Sequence, residues 1–144
     1  MKKALLSIVV ILVLIQFTSP VQTNPKEDDL VRINAPKEVL NILKKSCYDC
    51  HSNETKWTWY SSIAPFSWVI VGHVDDGRKA LNFSQYKNID KDIKEKRLKR
   101  IIQTTNNGMM PLSSYTSFHE GTELNTQEKQ LLRDWANTQL KILN

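Results

Sequence analysis

Apolar residues follow several distinct patterns along the chain. From Ala4 to Phe17 they run almost unbroken behind the basic start Met1-Lys2-Lys3. Val39, Leu43, Cys47 and Cys50 then recur at helical spacing, with Leu40 widening the stripe, so the spacing predicts one helix that runs into the two cysteines. Pro36 suits its first turn, with Asn34 or Ala35 as the cap. Trp68, Val69, Val71 and Val74 predict a second helix from Phe66 to about Leu81, weakened by Gly72 and Gly77. Ile93, Leu98, Ile101 and Ile102 form the inner stripe of a third within the charge-dense stretch after Lys87, where Asp92 with Lys96 and Glu95 with Lys99 have favourable i, i+4 spacing. Asn106, Asn107 and Gly108 stop it. Asn125 and Glu128 approximate a capping box, after which Leu131, Leu132, Trp135, Ala136 and Leu140 give a last helix its buried face.

The N-terminal pattern is that of an export signal, a basic region followed by an apolar one. The apolar run is shorter than the roughly 20 residues of a bilayer-spanning helix. No Ala-x-Ala cleavage site follows, and the nearest small residues are Thr18, Ser19 and Thr23. Residues 1–23 are thus expected to be a signal peptide or an N-terminal membrane anchor. With no cysteine closing the apolar run, a lipidated N-terminus is excluded. Residues 24–34, with Pro25 and the charges Lys26, Glu27, Asp28 and Asp29, read as a linker. Residues 35–144 are enough for one domain with a single core. The formal charge of +5 includes Lys2 and Lys3, so the exported part is mildly basic and nucleic acid is not implied. The basic surplus of the third helix reads as a solvated face, or as a surface for an acidic redox partner.

Candidate chemistry centres on Cys47-Tyr48-Asp49-Cys50-His51, the attachment signature of a c-type haem. On a helical turn the two thiols leave the same face and can bond the two vinyl groups of one macrocycle, and His51 then serves as proximal iron ligand. These are the chain's only two cysteines, which leaves none for a structural disulfide. Two rival readings are a thioredoxin-like redox pair, which wants a βαβ context, and a zinc site, which would need His51 beside Cys50 and a further ligand from His73 or His119. Downstream, Trp57, Trp59, Tyr60, Phe66 and Trp68 form either an ordinary aromatic core or the walls of the macrocycle, with one indole N–H reaching a propionate.

These residues carry a family resemblance. The run from Ser46 to Thr55, then Trp57, Trp59-Tyr60-Ser61, Ile63-Ala64-Pro65, Ser67-Trp68, Leu81-Asn82-Phe83-Ser84, Met110-Pro111-Leu112, Tyr115, His119 and Trp135-Ala136 resemble the small bacterial haem-binding domain proteins, which are cytochrome c-like. The resemblance implies an all-α, cytochrome c-like fold of three to five helices packed around one covalently bound haem. It implies that the last helix crosses the first, with Trp135 against Val39 and Leu43. It implies that the carbonyl of Pro65 accepts the Nδ1–H of His51, the alternative being that Pro65 only opens the next helix. It places Met110 as the distal iron ligand in a loop stiffened by Pro111, with Met109 and His119 as alternatives. Tyr115 is expected to bond a propionate or the ligand sulfur, or only to pack.

The expected function is one-electron transfer rather than catalysis. With His51 and Met110 filling both axial positions, no site remains for a substrate. Such a protein would work in the periplasm or at the outer face of the cytoplasmic membrane, with other redox proteins as partners and the N-terminus as a membrane contact. The alternative is a haem-based sensor or peroxidase-like protein with an open or displaceable sixth position, for which His119 and Arg78 are the nearest candidates for a distal base and a charge-stabilising arginine. A haem-bearing subunit of a larger complex is the third reading.

Overall fold

Val39, Ile42 and Leu43 lie on one face of helix α2 (Lys37–Ser46), and all three are buried. In this computed structural model, residues 1–26 and 29–143 are described; Glu27 and Asp28 of the expected linker, and the terminal Asn144, lie outside the described residues. Pro36 itself caps α2, one or two residues after the expected Asn34 or Ala35.

The predicted continuous helix through both cysteines is broken. Cys47 takes φ −130° and ψ −35°, and a separate turn, α3 (Tyr48–His51), follows it. Hydrogen bonds persist on both sides of the break, from Cys47 N to Leu43 O and from His51 N to Cys47 O, each 2.9 Å. The chain therefore kinks at Cys47 while its own amide and carbonyl stay bonded to the turns before and after it.

Pro65 caps α4 (Phe66–Ala80), which agrees with the predicted second helix. A 3-10 segment, Phe83–Asn88, leads to α5 (Lys91–Asn106), and Gly108 follows with φ 75°, a left-handed turn that suits glycine and ends the helix. The Glu95–Lys99 ion pair forms on α5. A single turn, α6 (Ser113–Thr116), precedes α7 (Thr126–Leu143). The expected capping box is present and reciprocal: Asn125 N donates to Glu128 Oε2 at 3.0 Å and Glu128 N donates to Asn125 Oδ1 at 2.9 Å.

No strand occurs among the described residues, so the chain is all-α. Leu43 of α2, Leu98 of α5, and Leu132, Trp135 and Ala136 of α7 close one apolar core. Trp135 lies in that core together with Val39 and Leu43, as expected of the last helix against the first. Lys45 of α2 reaches Glu128 of α7 and ties the two ends together. More helical pieces occur than the three to five expected, because the single turns α3 and α6 and the N-terminal α1 (Lys2–Leu14) add to α2, α4, α5 and α7.

Helix α1 buries no residue, and no helix among the described residues is long and apolar enough to cross a membrane. The chain that follows it is bonded to the body. Gln16 Oε1 accepts from Ala64 N at 3.0 Å while its Nε2 donates to Ala64 O at 3.2 Å, and Asn24 makes the same kind of reciprocal pair with the backbone of Thr55. Gln22 donates to Ser61 and Ser62, and Trp68 Nε1 donates to Thr18 O. Residues that read as the end of a signal and the start of a linker are here fastened along α4 and the turn before it.

Candidate functional site

The attachment turn α3 is held by what packs against its back. Gly77 in the middle of α4 lies so close to it that a Cβ there would stand 2.4 Å from the carbonyl oxygen of Cys50. Only glycine lets α4 approach so closely. The residues after the motif are clamped by Arg78, whose Nε donates to Ser52 O at 2.8 Å and whose Nη2 donates to Thr55 Oγ1 and Asn24 Oδ1, both at 2.9 Å. Asn82 Nδ2 donates to Asn53 Oδ1, and Ser84 Oγ accepts from Asn53 N.

His51 projects from this turn, half-buried, with its Nδ1 3.0 Å from the carbonyl oxygen of Leu81. This corrects the expected Pro65 acceptor. The carbonyl of Pro65 belongs to the first turn of α4 and accepts from Trp68 N, whereas Leu81, extended just past the end of the same helix, turns its carbonyl to the imidazole. The contact makes Nδ1 the donor and leaves the lone pair on Nε2. Burial holds the imidazole pKa below its usual value, against the opposing pull of the Leu81 and Gly77 carbonyls, so the ring is a neutral base. Phe83 stacks on Tyr48 and presents an edge contact to His51, with ring centroids 6.3 Å apart.

Three adjoining cavities open beside the turn. The first, of about 250 Å³, is lined by Cys47, Cys50, His51 and Met110, with His73 and Tyr115 at its side. The second, of about 210 Å³, shares Cys47, His51 and Met110 and extends past Phe83 to Arg97 and Arg100. The third, of about 680 Å³, shares Cys50, His73 and Tyr115 with the first and is walled by Trp57, Trp59 and Tyr60. The third lies in the range of roughly 300–1,000 Å³ that holds cofactors, and the first two, each smaller, adjoin the same turn.

The structure therefore brings Cys47, Cys50, His51 and Met110 to one cavity. Met110 N is fixed by a 3.0 Å bond to Thr104 O. Met109 borders only the second cavity and is 51% exposed. His119 stands apart from the Met110 cavities: its Nδ1 is 2.9 Å from Tyr115 O, its Nε2 is 3.3 Å from Tyr60 Oη, and its ring stacks on Tyr115 at 4.1 Å. With both nitrogens engaged, it offers no lone pair to a metal in this arrangement.

Two further expectations are corrected. Trp68 does not line any of the three cavities; its indole N–H bonds Thr18 instead. The reason is angular, since Phe66, Val69, Ile70 and His73 share the cavity face of α4 at i, i+3, i+4 and i+7, and position 68 falls outside that stripe. Pro65 lines no cavity either. Tyr115 does line the first and third, but its hydroxyl donates to Asp49 Oδ2 at 2.8 Å, inside the attachment motif, rather than standing free. That bond fastens the loop after Met110 to α3.

The two thiols are neutral. Burial and the neighbouring Cys50 push Cys47 up to about 12, and burial with Asp49 pushes Cys50 up to about 11. Neither is the acidic thiol of a redox pair. Among the described residues no group of three or more His, Cys, Asp or Glu side chains is arranged to hold a metal ion, so the zinc reading lacks its ligands. Trp57 Nε1 and Ser46 Oγ are buried without a hydrogen-bond partner, and both residues line the cavities. Orphaned donors of this kind fit an acidic group brought in with a bound molecule.

Sequence reading missed the Leu81 acceptor, the Asp49–Tyr115 bond, the Arg78 clamp and the role of Gly77. Only the last had a signal, a glycine in the middle of a helix. A family model, the haem-binding domain, matches residues 10–138 of the chain. No curated protein and no solved structure gives a significant match.

Proposed function

The chain belongs to the haem-binding domain family, and from that premise we propose that it is a cytochrome c-like protein with one covalent c-type haem that carries single electrons outside the cytoplasm. The observation that carries this reading is the meeting of Cys47, Cys50, His51 and Met110 around one cavity. Haem, when bound, supplies an iron that gains and loses one electron.

The chain's own residues do the rest. Cys47 and Cys50 hold the group by thioethers, so it cannot be lost outside the cell. His51 offers Nε2 as proximal ligand, and the Leu81 carbonyl fixes its tautomer and strengthens its basicity. Met110 offers the distal sulfur; His and thioether together favour the reduced form. Trp57, with its buried and unpartnered N–H, is the donor available to a propionate. Trp59 and Tyr60 wall the larger cavity. Partners are other redox proteins in the periplasm or at the outer face of the cytoplasmic membrane, where α1 serves as signal or anchor.

The sensor or peroxidase-like alternative finds less support. Arg78 is engaged by Ser52, Thr55 and Asn24, and both nitrogens of His119 have partners. Spectroelectrochemical titration of the full chain tests the proposal. A reversible one-electron couple, with no carbon monoxide adduct of the reduced protein, is expected; ready adduct formation would favour the alternative.

A further inference from the structure

From Trp57 to Val74 the sequence contains no Lys, Arg, Asp or Glu, in a chain of which 24% of residues are charged. Much of that stretch is exposed. Trp59 is 78% accessible, Phe66 62% and Val69 56%, and they are joined by Ile63, Trp68 and, from the loop after α6, Phe118 at 77%. Trp59, Phe66, Val69 and Phe118 form a single surface, since Trp59 meets Tyr60, Tyr60 meets Phe118, and all four line the 680 Å³ cavity, with Ile63 and Trp68 outside it. Apolar patches of this kind mark a contact surface.

The same surface is where the apolar helix α1 leaves the body. Gln16, in the 3-10 turn Ile15–Thr18 that continues α1, is double-bonded to the backbone of Ala64, and Thr18 accepts from the indole of Trp68. The exit of α1 is thus fixed beside Ile63, Phe66 and Trp68. Its 13 residues rise about 20 Å, short of the roughly 30 Å of a bilayer's hydrocarbon, so that α1 can be buried in a membrane without crossing it. Every apolar side chain of α1 is exposed in the structure.

We infer that the Trp59, Phe66, Val69 and Phe118 surface lies on the lipid bilayer beside α1, so that the large cavity faces the membrane. The inference rests on the reading of α1 as a retained membrane anchor. Continuity with α1 and the absence of charge select lipid over a charged protein partner, and exposed tryptophan is the side chain best suited to the depth of the headgroups. The clamp at Gln16 holds the body at one orientation to the anchor.

Cysteine accessibility tests it on the haem-loaded full chain in vesicles of phosphatidylethanolamine and phosphatidylglycerol. Trp59→Cys and Phe118→Cys report the surface, Val9→Cys the anchor, and Ile93→Cys on α5 the water-facing control, with the haem absorbance confirming that each variant is folded. A water-soluble maleimide is expected to label positions 59, 118 and 9 about tenfold more slowly than position 93. If positions 59 and 118 react as fast as position 93 while position 9 stays protected, the anchor stands and the inference fails. If position 9 also reacts at the control rate, both fail. Protection at 59 and 118 that grows with the protein-to-lipid ratio identifies a second copy as the occupant and overturns the lipid assignment.

Discussion

The two halves of the domain are built by different means. Around α2, α5 and α7 the chain fills most of its own interior: Leu43, Leu98, Leu132 and Ala136 are at most 1% exposed, in one cluster that only the second cavity borders, at Leu43 and Leu132. Around α3 and α4 it does not. There, small polar side chains, Ser52, Ser61 and Ser67, hold the most buried places, hydrogen bonds from Arg78, Asn53 and Asn82 set the backbone, and three cavities adjoin the attachment turn. Close packing is the rule in protein interiors, so a half held by clamps around open space is one completed by something else. The first half folds around leucine, the second around a cofactor.

The largest effect is expected on the cofactor half alone. Replacing both Cys47 and Cys50 by Ser should abolish haem that survives denaturing electrophoresis, while far-ultraviolet circular dichroism still reports the α5 and α7 helices; collapse of the whole signal would show that the halves are not separable. Leu132→Ala probes the other half, where an emptied leucine site should cost about 2–5 kcal/mol of stability by urea unfolding. Gly77→Ala tests the joint between α4 and α3, since its Cβ would be 2.4 Å from the Cys50 oxygen. Overpacking there should cost roughly 1–3 kcal/mol and lower the haem content of the purified protein. A smaller effect depends on pH. In the haem-free chain the Cys50 and Cys47 thiols are pushed up to about 11 and about 12, chiefly by burial, so the folded state keeps its protons when the unfolded thiols have lost theirs. The two thiols should therefore add no slope to the haem-free urea midpoint below about pH 8.5 and should lower it as pH rises toward 11, whereas thioethers, having no proton to lose, should spare the loaded protein this part of the loss.

Much of the packed half was legible because burial leaves a period in the sequence. The stripes of α2 and α7 and the Asn125–Glu128 box could be read directly, whereas on α5 Leu98 is buried as expected but Ile93, expected on the inner face, is 43% exposed. The cofactor half was legible only at Cys47, Cys50, His51 and Met110, which the structure brings to one cavity and whose proposed chemistry restricts the residue type. The kink at Cys47 left no trace, since the apolar spacing continues across it. The His51 partner was misread because every residue has a carbonyl, and only the fold decides that the one from Leu81 arrives. Trp68 was placed in the pocket by composition, although its offset from Phe66, Val69 and His73 already set it on another face. Gln16 and Gln22 read as signal or anchor and Asn24 as linker, because side-chain amides that bond the body singly have no periodicity.

The central claim is that His51 and Met110 close both axial positions of a covalent haem. The ferric optical spectrum of the full chain, wild type against Met110→Ala, tests it most directly. A low-spin spectrum with the weak far-red band of sulfur-to-iron charge transfer is expected of the wild type, and loss of that band in the variant. A high-spin wild-type spectrum, or one unchanged by Met110→Ala, would contradict it.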